Sequence, residues 1–95
     1  MTEIAVARII GVLLQKGFVQ DESHHTMLRL AVNGRKTRIH TWFSHGRRKA
    51  DDWLLSQIAR EMRLSRRELL AFLECAIGGE QYAQLMVERG HVRVE

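Results

Sequence analysis

The chain has 95 residues, 45% hydrophobic and 27% charged, with 15 Lys and Arg against 11 Asp and Glu for a net charge of +4. That is the size and balance of one globular domain, which excludes a disordered or fibrous chain, and Cys75 as the single cysteine excludes a disulfide scaffold. No apolar run approaches the roughly 18 residues of a membrane span, and Met1-Thr2-Glu3-Ile4 lacks the basic opening of a secretory signal; a reducing cytoplasm is the expected compartment.

Residues 3–16 carry the spacing of a helix, with Val6, Ile9, Ile10, Leu13 and Leu14 on its apolar side, Thr2 as N-cap and Gly17 after its last turn. Phe18-Val19-Gln20 reads as a short strand. The stretch from His24 to Val32, then Asn33-Gly34, then Arg35 to Phe43 reads as a hairpin, because Asn-Gly suits a two-residue turn in which both central residues need positive φ. A plain register from that turn pairs Val32 with Arg35, Ala31 with Lys36, Arg29 with Arg38, Met27 with His40 and His25 with Trp42. Leu28, Leu30, Ile39, Thr41 and Phe43 then share one face, suited to packing on a helix. His25, Met27, Arg29, Lys36, Arg38, His40 and Trp42 share the other.

Ser44 to Lys49 forms a loop with a dense basic run. Asp51 or Asp52 caps a helix over 53–62 with Leu54, Leu55, Ile58, Ala59 and Met62 inward and Trp53 in the core. Ser65-Arg66-Arg67-Glu68 is a capping box. The helix it opens carries Leu69, Leu70, Phe72, Leu73, Ala76 and Ile77 to Gly78-Gly79, with Cys75 as packing. Glu80 to Arg89 is a last helix with Tyr82, Leu85 and Met86 on one side. The expectation is a single α+β domain over 1–95. A three-stranded antiparallel sheet with helices on one face, αβββα over 1–64, is followed by two helices over 65–95 that either dimerise the protein or cap its core.

The charge is uneven. Residues 29–67 hold eleven bases against three acids, a local +8 between mildly acidic ends. Such a centre suits a polyanion, since Lys and Arg on phosphates release condensed counterions, and Arg's planar fork suits bidentate phosphate contacts. Arg29 facing Arg38 would be a destabilising like-charge pair unless an anion lay between them. The expected nucleic-acid contacts are Arg29, Lys36, Arg38, His40, Trp42, His45, Arg47, Arg48 and Lys49.

Histidine, with an ordinary pKa near 6.5, is suited to take the 2′-hydroxyl proton of RNA or to protonate the leaving 5′-oxygen. Strand alternation puts His25 on the basic face, about 7 Å or less from His40 on the diagonal. Four histidines could supply imidazoles to a metal, but the Cys/His spacing of zinc sites is absent, and no cofactor is expected. A competing motif spans residues 57–69, which resembles a helix-turn-helix offering Arg66 and Arg67 to a DNA major groove, with Arg63 where that motif prefers Gly.

Taken in order, Gly17-Phe18-Val19, Ser23-His24-His25, Phe43-Ser44-His45-Gly46 and the segment from Ile58 to Leu69 resemble the HicA toxins of bacterial and archaeal toxin–antitoxin pairs. The resemblance covers roughly residues 4–70. It implies a double-stranded-RNA-binding-like fold and an endoribonuclease acting on mRNA without a metal. It further implies His24 as the catalytic residue, with His25 as the backup, and a cognate antitoxin as partner. Glu22 stands where that family has Gly, and Phe43 where Pro is usual.

Overall fold

The computed structural model describes residues 3–22 and 25–92. Strand β1 (Ile4–Ala5) leads into α1 (Val6–Gln15), and β2 (Phe18–Glu22), β3 (His25–Val32) and β4 (Arg35–Ser44) follow; then come β5 (Lys49–Ala50), α2 (Asp52–Glu61), α3 (Arg66–Leu73) and α4 (Gly79–Glu88). The fold is α+β, with an antiparallel sheet in the order β2-β3-β4. Leu28 and Leu30 of β3 and Ile39, Thr41 and Phe43 of β4 are buried beneath the helices, and the opposite face is open. One continuous core joins these residues to Ile9 and Leu13 of α1, Leu55 and Ile58 of α2, Leu69 and Phe72 of α3, and Tyr82 and Met86 of α4. Among the described residues, no helix is long and apolar enough to cross a membrane.

The first helix starts later than its own periodicity suggests. Ile4 and Ala5 pair with Ala50 and Lys49, and the Val6 amide donates to the Arg48 carbonyl at 2.9 Å. This pairing satisfies one of the first-turn amides that have no partner within the helix, and the N-cap is Ala5, with no side-chain hydrogen bond. Thr2, expected as the cap, lies outside the described residues.

The hairpin turn is as expected, with φ of 53° at Asn33 and 77° at Gly34. Val32 faces Arg35 and Ala31 faces Lys36, but the register then slips. Arg29 faces His40, Met27 faces Trp42, Thr26 faces Phe43 and His25 faces Ser44. Two extra residues of β4 are accommodated around Thr37, whose hydroxyl donates to the Leu30 carbonyl at 2.9 Å and accepts from the Ile39 amide at 3.2 Å. The Arg29 guanidinium donates to the Thr37 carbonyl at 2.9 Å. Because side chains alternate with period two, a two-residue slip changes every partner beyond it and leaves the side chains there on their expected faces. The expected direct Arg29–Arg38 pair therefore does not form, and the two arginines instead line one cleft.

Asp51 caps α2 by accepting from the Leu54 amide at 2.9 Å. The Ser65–Glu68 capping box at the start of α3 is complete. Trp53 is a correction: it stands on the outer side of α2, 71% exposed, because Leu55, Ile58, Ala59 and Met62 define the inward stripe and Trp53 lies on the opposite side of that turn. Helix α3 also stops earlier than its apolar run, at Leu73. Lys16 places its ammonium on the carbonyls of Phe72 and, at 2.8 Å, of Ile77, and over the Phe72 ring at 4.4 Å. A cation on the last carbonyls stabilises a helix end, and Cys75 with φ of 66° turns the chain away. Cys75 and Ala76 are consequently exposed rather than packed. Helix α4 approaches α1 so closely that a Cβ on Gly79 would meet the Lys16 carbonyl oxygen at 2.9 Å.

The Arg89 guanidinium and, secondarily, the Ser65 amide hold the Glu68 carboxyl at about 2, below its ordinary 4.5. A depressed carboxyl contributes stability that is complete above the unfolded value and is lost as pH falls through the folded one. Glu68→Gln is expected to remove this component, so that the urea midpoints of variant and wild type differ above pH 4.5 and converge as pH falls towards 2. A constant gap across that window would assign the pair no role in acid stability.

Candidate nucleic-acid interface

From Ser23 to Ala50 the chain carries no Asp or Glu. Strands β3 and β4 carry much of this acid-free segment, and the loop after β4 with β5 carries the rest. Arg38 is exposed at the slip in β4, and Lys36 is exposed beside it, 3.5 Å from Asp21 of β2. Exposed pairs of this kind contribute little stability, so the Lys36 ammonium exchanges partners at small cost. Arg29 is half-buried and fixed by its bond to the Thr37 carbonyl and by contact with the Met27 sulfur at 3.6 Å. It is a structural clamp of the slip as well as a cation on the face.

His24 lies outside the described residues. His25 is exposed at the start of β3, and its ring tilts against the Trp42 indole with centroids 4.5 Å apart. The expected diagonal between His25 and His40 is not made. The slip carries His40 opposite Arg29 and leaves Trp42 as the aromatic neighbour of His25. His40 is held locally, with its Nδ1 3.0 Å from the Arg38 carbonyl. Among the described residues, no three of His, Cys, Asp or Glu come together as a metal-holding group.

His45, Arg47, Arg48 and Lys49 are all exposed on the loop after β4. Arg47 donates to the Lys49 carbonyl at 3.1 Å and lies 3.6 Å from Asp51, which shapes the loop. Lys49 lies 3.9 Å from Glu3. At the other end of the sheet, a cleft of about 1050 Å³ opens between the hairpin tip and Gly90–Val92, lined by Arg29, Arg35, Lys36 and Arg38. Basic side chains thus occur at the hairpin end of the sheet and on the loop after β4, with His25 and Trp42 towards that loop.

Helices α2 and α3 enclose a tight turn in which Arg63 takes φ of 62°, the conformation for which a helix-turn-helix prefers Gly. Arg66 is committed to Asp52 and to the Ser56 hydroxyl at 3.4 Å. Arg67 is exposed. The apolar run that follows buries Leu69, Phe72 and Leu73 against the core.

Two features of the loop end were missed by reading the sequence: Trp53 on the surface of α2, and Glu61, whose carboxylate accepts from the buried Thr41 hydroxyl at 2.6 Å. The helical stripe through Leu54, Gln57 and Glu61, next to the core stripe, was the available signal.

The fold and its surface define a small α+β domain with an open sheet face rich in bases. No family model, curated protein or solved structure matches this chain.

Proposed function

We propose that the protein binds RNA across the open face of its sheet and cleaves it without a metal ion, as its resemblance to the HicA toxins implies. The observation that supports binding most strongly is the acid-free run from Ser23 to Ala50, which supplies Lys36, Arg38, Arg48 and Lys49 as exposed cations. Cations along one surface hold a phosphate backbone. The histidines supply the chemistry: a ring at His24 or His25 takes the 2′-hydroxyl proton, the hydroxyl oxygen attacks the adjacent phosphorus, and a 2′,3′-cyclic phosphate forms as the 5′-oxygen leaves with a proton. Neighbouring guanidinium groups offset the charge gathering on phosphorus. The cognate partner in this reading is an antitoxin whose carboxylates cover the same face.

The test is incubation of wild type and His24→Ala with structured and unstructured RNA in EDTA. The expected result is cleavage by wild type to cyclic-phosphate ends and a loss of about 10²–10⁴-fold in rate with His24→Ala, at unchanged RNA affinity. Cleavage surviving in His24→Ala but lost in His25→Ala moves the acid–base role by one residue. Binding of neither RNA type defeats the proposal.

A second reading, helix-turn-helix DNA binding, draws on the left-handed Arg63 turn. It predicts that Arg67→Ala weakens duplex DNA binding while Lys36→Ala and Arg38→Ala do not.

A further inference from the structure

We infer that the groove between Trp42 and Trp53 receives the base of an unpaired guanosine, an inference that rests on the RNA-binding reading and names the feature of RNA that is read. The groove has a volume of about 220 Å³ and lies between the end of β4 and the outer side of α2. Its walls include both tryptophans of the chain, 41% and 71% exposed at Trp42 and Trp53. Large indoles left in water beside a basic loop are stacking platforms, and stacking on aromatic rings accepts any base. The volume is below the roughly 300 Å³ at which drug-sized pockets begin, which suits a single planar ring system and not a helix.

Glu61 supplies selectivity. It lines the groove, and the Thr41 hydroxyl, itself fully buried, orients its carboxylate by a 2.6 Å hydrogen bond to Oε1. Oε2 accepts no hydrogen bond among the described residues. An ionised carboxylate only accepts. Guanine alone among the RNA bases presents two adjacent donors, N1–H and the N2 amine, on its Watson–Crick edge. Adenine and cytosine set a ring-nitrogen acceptor beside their amine, and uracil flanks its single N–H with two carbonyls, so each would turn a lone pair towards Glu61. That edge is free only in an unpaired base. Arg47, also in the wall, adds a cation beside the groove, 3.6 Å from Asp51. An apolar peptide segment, the other occupant of such a groove, would cover Oε2 of Glu61 without offering it a donor.

Trp53 lines the groove from the outer side of α2, so the part of the indole quenching that is lost in Trp53→Ala reports its occupancy. The experiment titrates short oligouridine RNAs carrying one central guanosine, inosine or adenosine into wild type, Trp53→Ala and Glu61→Gln, with Lys36→Ala/Arg38→Ala as the control for the sheet face. In wild type, the guanosine RNA is expected to quench the indoles and to bind about tenfold or more tighter than the adenosine RNA. Inosine, lacking the N2 amine, should fall between them. Glu61→Gln keeps an oxygen for Thr41 but turns an amide donor to the base, and should abolish the preference. Trp53→Ala, at an exposed position that tolerates truncation, should weaken both RNAs about equally. RNA binding that depends on Lys36 and Arg38 but shows neither quenching nor base preference would overturn this inference and leave the sheet-face reading standing. A guanosine preference that survives in Glu61→Gln would overturn the role of the carboxylate. No binding of any RNA would end both readings.

Discussion

Replacing Tyr82 by alanine is expected to cost about 3–5 kcal/mol, a large share of the roughly 5–14 kcal/mol that a chain of this length has in total. Tyr82 is fully buried, and its ring meets Phe18 of β2 at 5.9 Å and Phe72 of α3 at 5.0 Å. Its hydroxyl donates to the Met62 carbonyl at the end of α2, at 2.7 Å. One side chain of α4 thereby ties together the sheet and both preceding helices. Burial pushes its phenol above the ordinary value, so it stays neutral throughout the physiological range. Tyr82→Phe isolates the hydrogen bond. It keeps both ring contacts and leaves the Met62 carbonyl short of a partner, for about 1–3 kcal/mol. Thermal unfolding of both variants checks the ordering, at about 4–8 °C per kcal/mol for a domain of this size. Equal losses in the two would mean that the ring contacts contribute nothing. The helices after residue 64 complete the core, whatever else they do.

The second large effect concerns RNA. Changing Lys36, Arg38, Arg48 and Lys49 together to alanine is expected to lower RNA affinity on the order of 10²–10³-fold at 0.1 M salt. Each phosphate contact on a single strand contributes about 0.7 to the slope of log K against log salt, so four lost contacts flatten that slope by about 3. These side chains are exposed and their described partners are Asp21 for Lys36 and Glu3 for Lys49, both at the surface; the fold is therefore expected to survive the change. Arg29 is left out deliberately, because its bond to the Thr37 carbonyl holds the slip in β4. Filter binding over a salt series measures both quantities. An unchanged slope would remove these four cations from the interface and turn attention to Arg67 on α3.

His25 and Trp42 show how a local error propagates into a site. A plain register from the Asn33-Gly34 turn makes them directly opposite and brings His25 near His40. The slip at Thr37 shifts both relations while the faces stay as expected. The His25–Trp42 contact survives as a tilted diagonal one, and the His25–His40 pair does not. The basic face was therefore readable by residue, but its internal geometry was not.

By itself the sequence determined the order of the main elements, the hairpin turn, the capping of α2 and α3, and the face on which each hairpin side chain stands. These depend on turn chemistry, capping side chains and periods of 2 and 3.6 residues, all of which act within a few positions of the residue concerned. Only the tertiary structure decided the pairing of Ile4–Ala5 with Lys49–Ala50, the end of α3 under Lys16, the two-residue slip in β4, and the meeting of Trp42, Trp53 and Glu61 in one groove. Each of these joins residues that are distant in sequence, or depends on which hydrogen-bonding groups the packed chain leaves to be satisfied. Local pattern carries no information about such partners until the core has brought them together.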